Sequence, residues 1–176
     1  MKQLRGQSAR VALVAAAAML VMGGCSTNPA TGQRQFSLIG EQQEIALGQE
    51  EAASAVAQLG RYDDAELQAY VSGVGNRLAA ATEKPDLPWS FTVVDDPVVN
   101  AFALPGGPIF VTRGILTHFN SEAELAAVLG HEIGHVTARH SVEQMSTAQL
   151  ANLGLGVAMI ASEDFRPYAG LAMQGL

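Results

Sequence analysis

The sequence predicts an α+β fold, mainly helical, with a small and mostly antiparallel sheet. Three observations predict it. Two stretches before residue 83 carry apolar residues at helical spacing. Three runs between Trp89 and Thr112 are rich in β-branched and aromatic residues, and a capped apolar stretch follows Arg113. With 176 residues, 48% of them hydrophobic and 15% charged, the chain is long enough for one domain with a real core and too apolar to stay disordered.

The amino terminus reads as an export signal over residues 1–24. Lys2, Arg5 and Arg10 form a basic flank, Val11 to Met22 is an uninterrupted apolar run, and Gly23-Gly24-Cys25 follows. Twelve apolar residues are too few for a helix across a hydrocarbon core, which needs about twenty. Cys25 is the only cysteine, so no intramolecular disulfide can form. A lone cysteine behind such a run resembles the lipobox of bacterial lipoproteins, although Met22 stands where Leu is usual and Gly23 where Ala or Ser is common. That resemblance implies diacylation of Cys25 and a lipid-anchored periplasmic protein. Ser26 in place of an aspartate leans toward the outer membrane of a Gram-negative envelope. Without residues 1–24 the chain keeps 7 basic against 17 acidic residues, a net −10 that excludes nucleic acid as a partner.

Residues 25–40, polar and without an apolar period, read as a flexible tether behind the lipidated cysteine, and residues 41–176 as the folded domain. Glu41 to Leu59 carries a helical stripe that stops at Gly60. Asp63 to Thr82 repeats the pattern, with Asp63 or Asp64 as cap. Lys84-Pro85-Asp86-Leu87-Pro88 breaks it. Trp89–Val94, Val98–Leu104 and Ile109–Thr112 then read as strands, the last two joined by a tight turn at Pro105-Gly106-Gly107-Pro108. Ser121 and Glu124 have capping-box spacing, and the helix they open is expected to run from Glu122 to about Gln149.

That helix carries His131-Glu132-Ile133-Gly134-His135. Residues four apart lie about 40° apart around a helix, so both imidazoles reach one metal ion, while Glu132, about 100° from His131, takes a proton from metal-bound water without filling a ligand position. Zinc is the metal this set suits, one ion per chain. Composition alone yields the pattern in about one such chain in two hundred, so context decides. Leu125, Leu129, Ile133 and Val136 form an apolar opposite face, and Gly130 and Gly134 leave room for another backbone or a substrate. His140, nine residues past His131, is expected about 180° away, facing from the metal as a solvated or supporting histidine. His118 has no partner that sequence can name.

Val128 to Val136 resembles the active-site helix of the HtpX and CAAX-prenyl-protease group of gluzincin metallopeptidases, most closely their periplasmic lipoprotein branch. Asn100-Ala101-Phe102-Ala103-Leu104-Pro105-Gly106-Gly107, with Ile109-Phe110-Val111 and Gly114-Ile115-Leu116, extends the likeness over about residues 40–176. The resemblance implies a zincin-type catalytic domain. Asn100, Ala101, Phe102 and Ala103 then form an edge strand on which substrate lies extended. It also implies a third ligand, a glutamate several tens of residues beyond His135. Glu143 lies too far round the helix, Glu163 and Asp164 do not match the family's pattern, and the ligand is expected beyond Leu176, the sequence being C-terminally truncated relative to the family. The function expected is a zinc metalloendopeptidase that hydrolyses unfolded or misassembled envelope proteins. The alternative is a non-catalytic lipoprotein that binds or chaperones them. Oligomeric state is not legible.

Overall fold

The computed structural model describes residues 34–161 together with residues 25–28, 30 and 32. Residues 1–24, read as the signal, and Glu163 and Asp164 lie outside the described residues. In chain order the elements are β1 (Cys25–Thr27), β2 (Arg34–Phe36), α1 (Glu41–Leu59), α2 (Ala65–Ala79), β3 (Ser90–Val94), β4 (Ala101–Ala103), β5 (Pro108–Thr112), α3 (Arg113–Leu116), α4 (Glu122–Thr137) and α5 (His140–Ala161). Mainly helical α+β is thus the observed class. No helix among the described residues is long and apolar enough to cross a membrane.

Local signals set most boundaries. Gly60, at φ 75°, ends α1 where a residue with a Cβ would be strained. Asp64 caps α2 by accepting from the Leu67 N–H at 2.9 Å. Ser121 Oγ accepts from Glu124 N–H, and the Glu124 carboxylate reaches back to the Asn120 N–H at 2.6 Å. The capping box therefore closes one residue earlier than its usual form.

The sheet has the order β3-β5-β4. β4 and β5 are antiparallel, as are β1 and β2, so most pairings have the expected sense; β3 and β5 are parallel, a pairing the sequence reading did not foresee. The parallel pairing arises because the chain leaves β3, passes beyond the future position of β5 to lay down β4, and returns through the Pro105–Pro108 turn between them. Gly106, at φ 74°, makes that turn, and a Cβ there would lie 2.6 Å from the Ile45 Cα of α1. Gly48 of α1 meets the same turn, with the Pro105 carbonyl in the space a Cβ would need. Two glycines thus let α1 cross directly over the hairpin.

Helices α2 and α4 pack on each other and on one face of the sheet. Val71 and Val74 of α2, Phe91 and Val93 of β3, Ile109 and Val111 of β5, and Leu125, Leu129 and Ile133 of α4 form one buried cluster. Each such side chain contributes about 1.5–3 kcal/mol relative to exposure. That burial fixes the rotation of α4 and so decides which face it turns outward.

One expectation is corrected here. The helix from Glu122 to Gln149 is two helices, broken at Ala138-Arg139, where Arg139 adopts φ 56°. The physical reason is tertiary. Arg139 Nε donates to buried Glu44 Oε2 at 2.8 Å and Nη2 to the Ile39 carbonyl at 3.0 Å. These bonds hold a backbone conformation that an arginine adopts only at a cost. Gly130 and Gly134 have open space where a Cβ would stand, so among the described residues no backbone approaches either. Within the stretch read as a tether, Asn28 is buried and donates to the Ala138 carbonyl at 2.8 Å, and Leu38 N–H donates to Ser146 Oγ.

Candidate active site

The outward face of α4 carries His131, Glu132 and His135, opposite Leu125, Leu129, Ile133 and Val136, all of which are buried. The two imidazoles turn toward each other, with ring planes 86° apart and Nε2 atoms separated by 3.0 Å. Two nitrogens on a tetrahedral zinc, each about 2.05 Å from the ion, lie about 3.3 Å apart. The pair therefore fits one metal ion after a movement of a few tenths of an ångström, and the donors are the borderline nitrogens that zinc, copper and iron take. Among the described residues no group of three His, Cys, Asp or Glu side chains is gathered tightly enough to hold a metal by itself.

His131 and Glu132 line an open groove of about 370 Å³ with Val99, Asn100, Ala101, Ile115, Ala127 and Val128. Ala127 and Val128 precede His131 by four and three residues, so helical spacing could have named them. Ile115 could not be named that way, because tertiary packing brings it there from α3. Larger hollows exist, notably one of about 610 Å³ along Arg61 to Ser72, but it lies away from the histidines.

The four residues expected on the substrate strand meet different surroundings. Asn100 and Ala101 line the groove. Phe102 points to the other face and stacks on Phe110 at 5.1 Å between ring centroids, while Ala103 packs against the core cluster. The backbone is more telling than the side chains. Asn100 C=O accepts from Thr112 N–H, and Leu104 N–H donates to Pro108 C=O. Residues 100 and 104 thus bond toward β5. In an antiparallel ladder the direction alternates in pairs, so Ala101 and Ala103 turn their N–H and C=O groups to the free edge. Among the described residues nothing pairs with them there.

His140 departs from its expected place. The break at residues 138–139 turns the chain, and His140 Nδ1 lies 2.7 Å from His135 Nδ1. His118 is exposed, and Glu143 lies exposed on α5.

A helix buried on one side, with two convergent imidazoles and a carboxylate on the other and an unpaired strand edge beside it, has the arrangement of the metallopeptidase class. The chain belongs to a particular family within it: the family profile described as Peptidase family M48 matches residues 65–175, which is more than half of the chain. Among its relatives, a beta-barrel assembly-enhancing protease of Yersinia pestis is 33% identical over 149 residues, covering 82% of this chain and 30% of the relative. A putative beta-barrel assembly-enhancing protease of Vibrio cholerae is 34% identical over 113 residues, 62% of this chain and 23% of the relative. The mitochondrial metalloendopeptidase OMA1 of Arabidopsis thaliana is 51% identical over 65 residues, 37% of this chain and 13% of the relative. The chain thus spans less than a third of the length of each.

Proposed function

We propose that this chain carries the catalytic centre of a zinc-dependent metalloendopeptidase that cleaves unfolded or misassembled proteins of the cell envelope. The observation that carries the reading is the 3.0 Å convergence of His131 Nε2 and His135 Nε2 beside Glu132 at the mouth of the groove. In this reading His131 and His135 hold the ion and Glu132 is the general base. Zinc, when bound, supplies a Lewis acid that polarises the scissile carbonyl and acidifies water. Glu132 takes the proton of the attacking water and passes it to the departing amine, so that the amine leaves neutral. The free edge of β4 receives the substrate as an added strand, through the outward N–H and C=O groups of Ala101 and Ala103. Backbone pairing of this kind requires an extended segment, which an unfolded or misassembled protein offers and a folded one does not. Relatives named for beta-barrel assembly support an envelope substrate.

The test of the chemistry is Glu132→Gln. Cleavage of an unfolded β-barrel protein by the intact protein should fall by about 10²–10⁴-fold, with one zinc per chain still bound by metal analysis. Undiminished cleavage overturns the assignment of the base. Membrane anchoring through an acylated Cys25 completes the proposal. Cys25→Ser should move the protein from the membrane pellet to the soluble fraction, and continued pelleting would remove the anchor from it.

A further inference from the structure

We infer that His140 is a positioning residue that orients His135 and fixes which of its nitrogens carries the proton. The inference rests on the reading of His135 as a metal ligand. His135 Nε2 faces His131 Nε2, so Nδ1 is the nitrogen it turns to His140, 2.7 Å from His140 Nδ1. An imidazole that offers the Nε2 lone pair to a cation carries its proton on Nδ1. That N–H then points at His140 Nδ1, whose lone pair accepts it, and the His140 proton sits on its own Nε2. A carboxylate, a carbonyl or a water commonly stands behind a ligating histidine. Here an imidazole from the next helix does.

The contact is built rather than incidental. On a continuous helix residue 140 would stand about 180° from residue 131, and only the reversal at Ala138-Arg139 brings it behind His135. That reversal is held from several directions. Arg139, at φ 56°, is fixed by Glu44 Oε2 and the Ile39 carbonyl. The Ala138 carbonyl accepts from Asn28, and the Arg139 carbonyl accepts from the Glu143 N–H. Val142 and Ser146 then seat α5 in the interior. The backbone of His140 is therefore anchored on both sides while its ring is left exposed to meet His135. A conformation unfavourable for arginine, kept by a buried ion pair, is what delivers this histidine to the site.

The experiment compares the unsubstituted intact protein with its His140→Ala and His140→Asn variants, because asparagine Oδ1 stands where the histidine Nδ1 does and also accepts. Zinc affinity is measured by chelator competition, and the His135 Nδ1–H proton by ¹⁵N-edited NMR of the zinc-loaded protein. His140→Ala should weaken zinc binding by about 10–100-fold and lose the slowly exchanging Nδ1–H signal. His140→Asn should restore most of the affinity and the signal. Equal affinity and an unchanged signal in His140→Ala overturn the inference, as does an asparagine variant no better than the alanine one. If His140→Ala fails to fold, the asparagine variant decides, since a folded His140→Asn without the signal also overturns it. An intact parent protein that binds no zinc removes the metal reading itself and this inference with it, an outcome distinct from the others.

Discussion

The two edges of the three-stranded sheet receive opposite treatment. At the β3 edge the outward backbone groups of Val93 are taken. Val93 N–H donates to Gln68 Oε1, and Val93 C=O accepts from both Gln68 Nε2 and Tyr62 N–H. Asp95 N–H donates to Gly60 C=O beside it. A buried glutamine from α2 thus acts there as a substitute strand. At the β4 edge, nothing among the described residues pairs with the outward groups of Ala101 and Ala103, and Ala101 lies beside His131 and Glu132. Unpaired edges invite aggregation, and proteins usually cover them. The fold closes one edge with two side-chain and two backbone bonds and, among the described residues, leaves the other open beside the candidate catalytic helix, where the proposed substrate strand would pair. Exposed Val98 and Val99 lead into it and add apolar surface where an extended chain would arrive.

The largest expected effect comes from breaking the closed edge. Gln68→Leu keeps the apolar volume but strands the buried Val93 N–H, and should cost about 3 kcal/mol in urea-induced unfolding. A loss below about 0.5 kcal/mol would mean that the edge is not held by this side chain. The open edge should respond the other way. Ala101→Pro removes an outward donor at an edge, where proline is tolerated, so stability should change by about 1 kcal/mol or less. Proteolysis of an extended substrate should fall about tenfold or more, since one lost backbone bond in a desolvated groove is worth about 1.4 kcal/mol. Unchanged proteolysis by a folded Ala101→Pro would take β4 out of substrate binding.

The smallest effect is electrostatic and lies on the closed side. Lys84 Nζ donates to Glu41 Oε2 at 2.5 Å, and its own carbonyl accepts from Trp89 Nε1, tying α1 to the start of β3. The hydrogen bond from Lys84, and then its charge, hold the Glu41 carboxyl below its ordinary value of 4.5. A carboxyl lowered on folding stabilises the native state above its unfolded pKa. That contribution is lost as pH falls through the lower folded value. Glu41 is half exposed, so the contribution is a few tenths of a kcal/mol to about 1. Lys84→Met should flatten this acid limb in thermal melts at pH 3 to 6. An unchanged pH profile would leave the ion pair without a part in stability.

Two helix ends show what could be read in advance. Gly60 stops α1 because a positive φ costs glycine little, and a glycine after an apolar stripe is legible as a stop. Arg139 ends the active-site helix with a similar backbone reversal, yet nothing local announces it. An arginine at φ 56° is held there by Glu44, a residue 95 positions earlier in the chain. The expected long helix and the expected position of His140 failed together, for that one reason. Gln68 is illegible in the same way, since a polar residue within an amphipathic stripe reads as solvated until β3 is laid beside it.

By itself the sequence determined the class of fold, the bounds of α1, the cap of α4, the cap of α2 to within Asp63 or Asp64, the pairing of β4 with β5 through a Pro-Gly turn, and the facing of His131 and His135 on one side of a helix. Each follows from short-range geometry: a 3.6-residue period, a capping side chain, a φ that only some residues adopt. Tertiary structure alone decided the parallel placement of β3 against β5, the closing of one sheet edge by Gln68, and the reversal that sets His140 behind His135. Each of those depends on groups 18 to 95 residues apart meeting in a buried setting. There the cost of leaving a polar group unpaired selects one arrangement, and no local pattern in the sequence records that cost.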